Sequence, residues 1–252
     1  MKHDTPEFAA IAAQGTILRC QVGSGLHGTA VDGQDDRDEM GLCVEPAEYV
    51  SGLKRFEQYV FRTQPEGVRS GPGDLDLIVY SLRKWMRLAL SGNPTVLLPL
   101  FVPANEIVAI TELGHDLRAN SGRIVSRQAG LRFAGYLRTQ RARMLEGSLK
   151  VNRPELIAKY GFDTKYAMHM VRLGVQGVEL LETGRMTLPI PEPWLSWLRD
   201  LRRGKHTQDE AIAAAAELED RLDRLTRGAS PLPEEPDRDW VNRWLVHAYA
   251  AA

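Results

Sequence analysis

The tightest constraint in this sequence is a short distance along the chain. A glycine-rich turn, Gly23-Ser24-Gly25-Leu26-His27-Gly28, follows the strand-like run TILRCQV (Thr16 to Val22). Twelve residues past Ser24 comes Asp36, and Asp38 follows it. The turn matches the G-x-G-x-x-G spacing of dinucleotide-binding folds. Those folds, however, need a full crossover helix and another strand before their acidic residue, which falls about 20 positions on. Only the polar segment Thr29 to Gln34 intervenes here, so no crossover helix fits. A protein-kinase phosphate loop would need its lysine strand and catalytic-loop motif downstream, and neither is present. Taken alone, the turn also fits an ordinary strand-to-helix connection that happens to use glycine.

The acidic pair narrows the reading. Asp36-Arg37-Asp38 runs into the apolar segment Met40 to Val44, which reads as a second strand. Alternate residues of a strand share a face, so both carboxylates point the same way. Two such carboxylates repel unless a cation lies between them. Mg²⁺ suits one or two protein carboxylates, completed by water and phosphate oxygens. The Gly23-Ser24 turn, ahead of a helix, would offer backbone N–H groups and a hydroxyl to those phosphates. A calcium loop is excluded. Asp36, Asp38 and Gly41 fill its first, third and sixth places, but Met40 and Ala47 stand where oxygen ligands are required.

Leu75 to Tyr80 reads as a further strand, and Ser81 as the N-cap of a helix with Leu82, Trp85, Met86 and Ala89 on one face. Ser91-Gly92-Asn93-Pro94 breaks that helix. From about residue 111 the pattern is helical. Arg127 to Leu145 and Asp163 to Glu182 are long candidates, and Thr207 with Glu210 forms a capping box ahead of Ile212, Leu218, Leu222 and Leu225. A proline-rich link (Ser230 to Pro236) precedes a last helix around Trp240 to Tyr249. With 252 residues, 43% hydrophobic and 26% charged, the chain can bury a sizeable core. Its net charge of −1 makes it no general polyanion binder. Cys20 and Cys43 sit in apolar runs and read as reduced core thiols. The first residues have no apolar stretch of signal-peptide length and no segment is long enough to span a membrane, so a cytoplasmic location is expected.

Two polar constellations stay open on the residues alone. Lys165, His169 and Arg172 are spaced i, i+4, i+7 and share a helical face beyond Asp163. They fit either phosphate or base contacts or the solvated side of an amphipathic helix. From Arg118 to Arg153 the basic residues are Arg118, Arg123, Arg127, Arg132, Arg138, Arg141, Arg143, Lys150 and Arg153, with Glu146 the only acid. That run fits an RNA rail or a set of arginines paired with acids elsewhere.

The stretch GSGLHGTAVDGQDDRDEMGLCVEP resembles the signature of the DNA polymerase β-type nucleotidyltransferase superfamily: a Gly-Ser turn, a short helix, and Asp-x-Asp on the next strand. Within it, the chain resembles the nucleotidyltransferases associated with RNA ligases and RNA repair. DLDLIVYSLRKW (Asp74 to Trp85), Gly92-Asn93-Pro94 and KYGFDTKYAMHMVRL (Lys159 to Leu173) carry that narrower likeness, which spans roughly residues 16 to 185. Asp35 replaces a common serine, and the expected glutamate is missing ahead of Leu100-Phe101.

The resemblance implies an α+β fold, with a polymerase-β-like core (a small mixed sheet with helices) over residues 1–110. A helical domain over 111–229 and a proline-rich link with a terminal helix over 230–252 would follow. It implies a third carboxylate on a neighbouring strand, Asp76, with Asp74 in reserve, so that Asp36, Asp38 and Asp76 would be both catalytic residues and metal ligands. Gly23, Ser24, Lys165, His169 and Arg172 would bind nucleotide. Two Mg²⁺ ions (Mn²⁺ as a substitute) and an NTP substrate are implied. The reaction would move an NMP onto a hydroxyl with release of pyrophosphate. RNA such as a tRNA end is the expected acceptor, held along the Arg118–Arg153 run. A protein or small-molecule acceptor, or a silent nucleotide-binding module, is the alternative. Paired metals sit ~3.5–4 Å apart, so Asp76 must lie within about 8 Å of the Asp36 and Asp38 carboxylates.

Overall fold

The computed structural model describes residues 3–31, 35–145 and 153–251. The chain forms two compact units. The first comprises residues 1–90, 96–124 and 236–252, and the second residues 91–95 and 125–235.

Among the described residues, the first unit is built on five strands. Helix α1 (Pro6–Gly15) begins at Thr5, whose hydroxyl accepts from the Phe8 N–H at 3.1 Å, and carries Pro6 in its first turn, where no N–H is needed. Strand β1 (Thr16–Val22) leads directly into the short helix α2 (Gly23–His27), and β2 (Arg37–Cys43) follows. After the single turn α3 (Ala47–Val50) come β3 (Gln58–Arg62), β4 (Leu75–Ser81) and α4 (Leu82–Leu90). β5 (Ile107–Ile110), α5 (Glu112–Ala119) and α6 (Ser121–Ile124) follow. The strand order is β3-β4-β2-β1-β5. β2 and β4 are parallel and every other pair is antiparallel, so the sheet is mixed. The expected α+β class, with its small mixed sheet and helices, is what the chain adopts.

Alternation assigns the two faces. Cys43, Leu77 and Val79 pack with Ile11, Ala12 and Phe56 beneath α1. Ser81 caps α4 by accepting from the Lys84 N–H at 3.2 Å. Leu82, Trp85, Met86 and Ala89 are all buried, as their spacing requires. The Trp85 indole finds the carbonyl of Val96 at 3.0 Å. Cys20 and Cys43 are free and buried, and burial pushes both thiols up, Cys20 to about 12. The terminal helix α12 (Arg238–Ala250), numbered in chain order after the helices of the second unit, docks on this unit. Trp244 donates to Asp116 at 2.6 Å, and Tyr249 accepts from the Arg83 N–H at 3.1 Å.

The second unit is helical: α7 (Ala129–Leu145), α8 (Pro154–Tyr160), α9 (Thr164–Thr183), α10 (Trp194–Arg202) and α11 (Gln208–Arg227). Helix α9 is its centre. A Cβ on Gly174 would sit 2.7 Å from Leu218, and one on Gly177 2.8 Å from both Phe133 and Leu222. The two glycines therefore let α7 and α11 close onto α9. Thr207 and Glu210 form the capping box of α11. No described helix is long and apolar enough to cross a membrane.

Candidate active site

Sheet register assembles the acidic cluster. The parallel pairing of β2 and β4 sets Asp38 beside Asp76, and the Arg37 N–H continues the ladder to the Asp74 carbonyl at 2.9 Å. Asp36, two residues before Asp38, lies on the same face. One carboxylate oxygen from each of Asp36, Asp38 and Asp76 falls within 4.8 Å of the other two, and all three residues are partly exposed. At an effective dielectric near 20, each pair of carboxylates at that separation repels by roughly 3–4 kcal/mol. Three hard oxygen donors converging in this way match the ligand chemistry of Mg²⁺ or Mn²⁺.

The Gly-Ser turn abuts this cluster. Gly23 has φ = +70°, which a side chain resists. A Cβ there would stand 1.9 Å from Asp38 Oδ2, so glycine is required on two counts. Its neighbour Ser24 is partly exposed, and its carbonyl accepts from the Thr29 N–H at 3.0 Å, which closes the turn. Asp74, the reserve choice, is occupied otherwise: it accepts from Gln64 at 3.0 Å and from the Gly71 N–H at 2.9 Å.

Asp76 has partners that the sequence did not announce. Arg62 Nε lies 3.2 Å from both of its oxygens, and the Ser70 hydroxyl donates to Oδ1 at 2.8 Å. On the opposite face, buried Glu39 accepts from Arg19 at 2.5 Å and from Arg37 at 2.6 Å. Arg37 is therefore spent on the far side of the sheet from Asp36 and Asp38.

Lys165, His169 and Arg172 lie on α9 in the second unit. Asp163 caps this helix, accepting from the Lys165 and Tyr166 N–H groups at 3.0 Å, and pairs with Arg153 at 3.2 Å. Arg172 donates to Gln176 at 2.7 Å and lies 3.4 Å from His169 Nδ1. An arginine can only donate, so Nδ1 accepts and the imidazole proton sits on Nε2. Burial, then the charges of Arg172, Lys165, Arg153 and Arg202, hold His169 well below its ordinary value. Burial also lowers Arg172, to about 10. The charges of Arg153 and Arg202 thus act on the same imidazole as those of Arg172 and Lys165.

The residues of the basic run divide between the two units. Arg118 and Arg123 belong to the first unit and the rest to the second. Arg123 pairs with Asp237, Arg127 with Glu234, Arg138 and Arg141 with Glu219, and Arg153 with Asp163. Arg118 and Arg132 donate to the carbonyls of Val102 and Ser91. Seven of its arginines therefore already hold an acid or a carbonyl. Lys150 and Glu146 lie outside the described residues.

No curated protein matches the chain. Among solved structures, a nucleotidyltransferase-like protein from Exiguobacterium sibiricum is similar at 14% identity, over 87% of this chain and 72% of that one, with a TM-score of 0.31. A superposition at that TM-score decides nothing about the site. The family comparison is decisive: residues 1–247 match RlaP, the RNA repair pathway DNA polymerase β family, and the chain belongs to that nucleotidyltransferase family.

Proposed function

We propose that the chain transfers a nucleoside monophosphate from an NTP to a hydroxyl on RNA, with release of pyrophosphate, in a Mg²⁺-dependent reaction. The observation that carries this reading is the convergence of Asp36, Asp38 and Asp76 beside a turn pressed so closely on Asp38 that only glycine fits. Membership of an RNA-repair family supports RNA as the acceptor.

Asp36 and Asp38 would hold the ion shared with the triphosphate, and would share a second with Asp76. Such ions, when bound, lower the pKa of an attacking hydroxyl and stabilise charge on both the attacking and the leaving oxygen. The Gly23-Ser24 turn would hold phosphate oxygens through its N–H groups and hydroxyl. Lys165 and Arg172 would contact the triphosphate, and His169 would present the proton on its Nε2 as a donor. In the transfer, the acceptor oxygen would bond to the α-phosphorus while the bond to the bridging oxygen of pyrophosphate breaks, and the hydroxyl proton would pass to solvent water.

The test uses α-labelled NTPs, Mg²⁺ and total RNA, with wild type beside the double variant Asp36→Ala, Asp38→Ala. Label in RNA with wild type alone supports the proposal. Label in protein or a small molecule would move the acceptor to that class. No transfer from any NTP with either metal would leave a nucleotide-binding module.

A further inference from the structure

Asp76 is gripped from the neighbouring strand and loop. The antiparallel register of β3 and β4 sets Arg62 directly across from it. One guanidinium then does two things. Its Nε reaches both Asp76 oxygens at 3.2 Å, and its Nη2 donates to Ser70 Oγ at 2.8 Å and to the Val68 carbonyl at 3.1 Å. Ser70 passes the contact on, donating to Asp76 Oδ1 at 2.8 Å. The Arg62 and Asp76 side chains are about a quarter exposed, at 24% and 27%.

An ordinary cross-strand ion pair would need neither the serine nor the loop, and would contribute only ~0.2–1 kcal/mol. This pair ends in a cluster whose three carboxylates approach within 4.8 Å, and it sets a fixed positive charge against one of them. We propose that Arg62 is the positioning residue for Asp76, and that Arg62 and Ser70 form a latch that fixes the third carboxylate while weakening the cluster's hold on free divalent cations. The proposal rests on the reading of Asp36, Asp38 and Asp76 as the metal site. Its consequence is a trade: tightness toward the bare ion is given up for the orientation of Asp76 toward the reacting hydroxyl.

The test titrates Mn²⁺ alone, by calorimetry, into wild type, Arg62→Met, Arg62→Lys and Ser70→Ala, with folding checked by circular dichroism. NTP turnover is measured on the same samples. Arg62→Met is expected to bind Mn²⁺ at least about threefold more tightly, because a nearby like charge is gone. Its kcat should fall about 100-fold through misplacement of Asp76, with KM for NTP within about twofold. Arg62→Lys keeps the charge without the fork geometry, so Mn²⁺ affinity should stay near wild type while turnover recovers only in part. Ser70→Ala should leave Mn²⁺ affinity within about twofold and lower turnover about tenfold, through looser placement of the carboxylate. Arg62→Met with unchanged affinity and turnover would overturn the latch. So would parallel weakening of Mn²⁺ binding, turnover and stability, the mark of a purely structural residue. Wild type that fails to bind Mn²⁺, or Asp36→Ala with Asp38→Ala that binds it equally well, would overturn the reading of the acidic cluster, and the latch with it.

Discussion

Replacing Gly23 by alanine would strike the acidic cluster through the backbone. Two costs can be worked out separately. At φ = +70° an alanine carries the left-handed penalty of ~1–2 kcal/mol. For a chain of this size that corresponds to a fall in Tm of roughly 2–8 °C. The second cost is steric. The new Cβ would lie 1.9 Å from Asp38 Oδ2 against an ordinary contact of 3.4 Å or more, so the carboxylate must retreat by about 1.5 Å. Misplacement of a reacting group by ~1 Å can cost ~100-fold, so NTP turnover should fall by about that factor or more. Asparagine separates the two costs, because it tolerates positive φ yet still carries a Cβ. Gly23→Asn should recover most of the lost Tm and little of the lost turnover. Differential scanning fluorimetry and a labelled-NTP assay read the two effects. Turnover of Gly23→Ala within threefold of wild type would refute the reasoning, since the turn would then not be coupled to Asp38.

Other outcomes follow from the same geometry. His169 stays neutral in the folded chain, whereas in the unfolded chain it takes up a proton below about pH 6.5. Its depressed folded pKa therefore contributes stability above that pH, and the contribution is lost as pH falls, by at most ~1.4 kcal/mol per unit. Denaturation midpoints measured from pH 7.5 to 5 should show that slope in wild type and a flatter one in His169→Gln. Tyr249 bonds to buried Glu45, whose carboxyl is pushed up by burial, and accepts from the Arg83 N–H. Tyr249→Phe leaves both without that partner and should cost ~1–3 kcal/mol, read as a lower urea midpoint. Asp76→Asn should abolish turnover while NTP binding changes little, which equilibrium binding of a labelled NTP would check.

The parts that were legible in the sequence are those with a local cause. Thr16 to Val22 is a strand over just those residues, because its β-branched run ends at a glycine turn. The apolar face of α4 and the capping box of α11 follow from spacing and from paired capping residues. Strand β3 escaped because none of its residues is fully buried, so QYVFR shows no in–out alternation. β5 is four residues long, too short for a period. Missing β3 also hid the latch: only the hairpin register brings Arg62 to Asp76 across fourteen positions. The acidic cluster had the same character, since Asp36 and Asp38 are local whereas Asp76 needs the parallel register of β2 and β4. The pairing of the basic run was hidden for a similar reason. Glu219, which holds Arg138 and Arg141, lies about eighty residues away, where composition windows cannot see it.

The central claim is that the Asp36, Asp38 and Asp76 cluster moves the α-phosphoryl group of an NTP onto an acceptor hydroxyl. Parallel reactions with α-labelled and γ-labelled NTP, each with wild type and Asp38→Asn, test it most directly. Transfer of the α-label to the acceptor, release of the γ-label as pyrophosphate, and loss of both in Asp38→Asn are the expected result. Transfer of the γ-label, or undiminished transfer by Asp38→Asn, would contradict it.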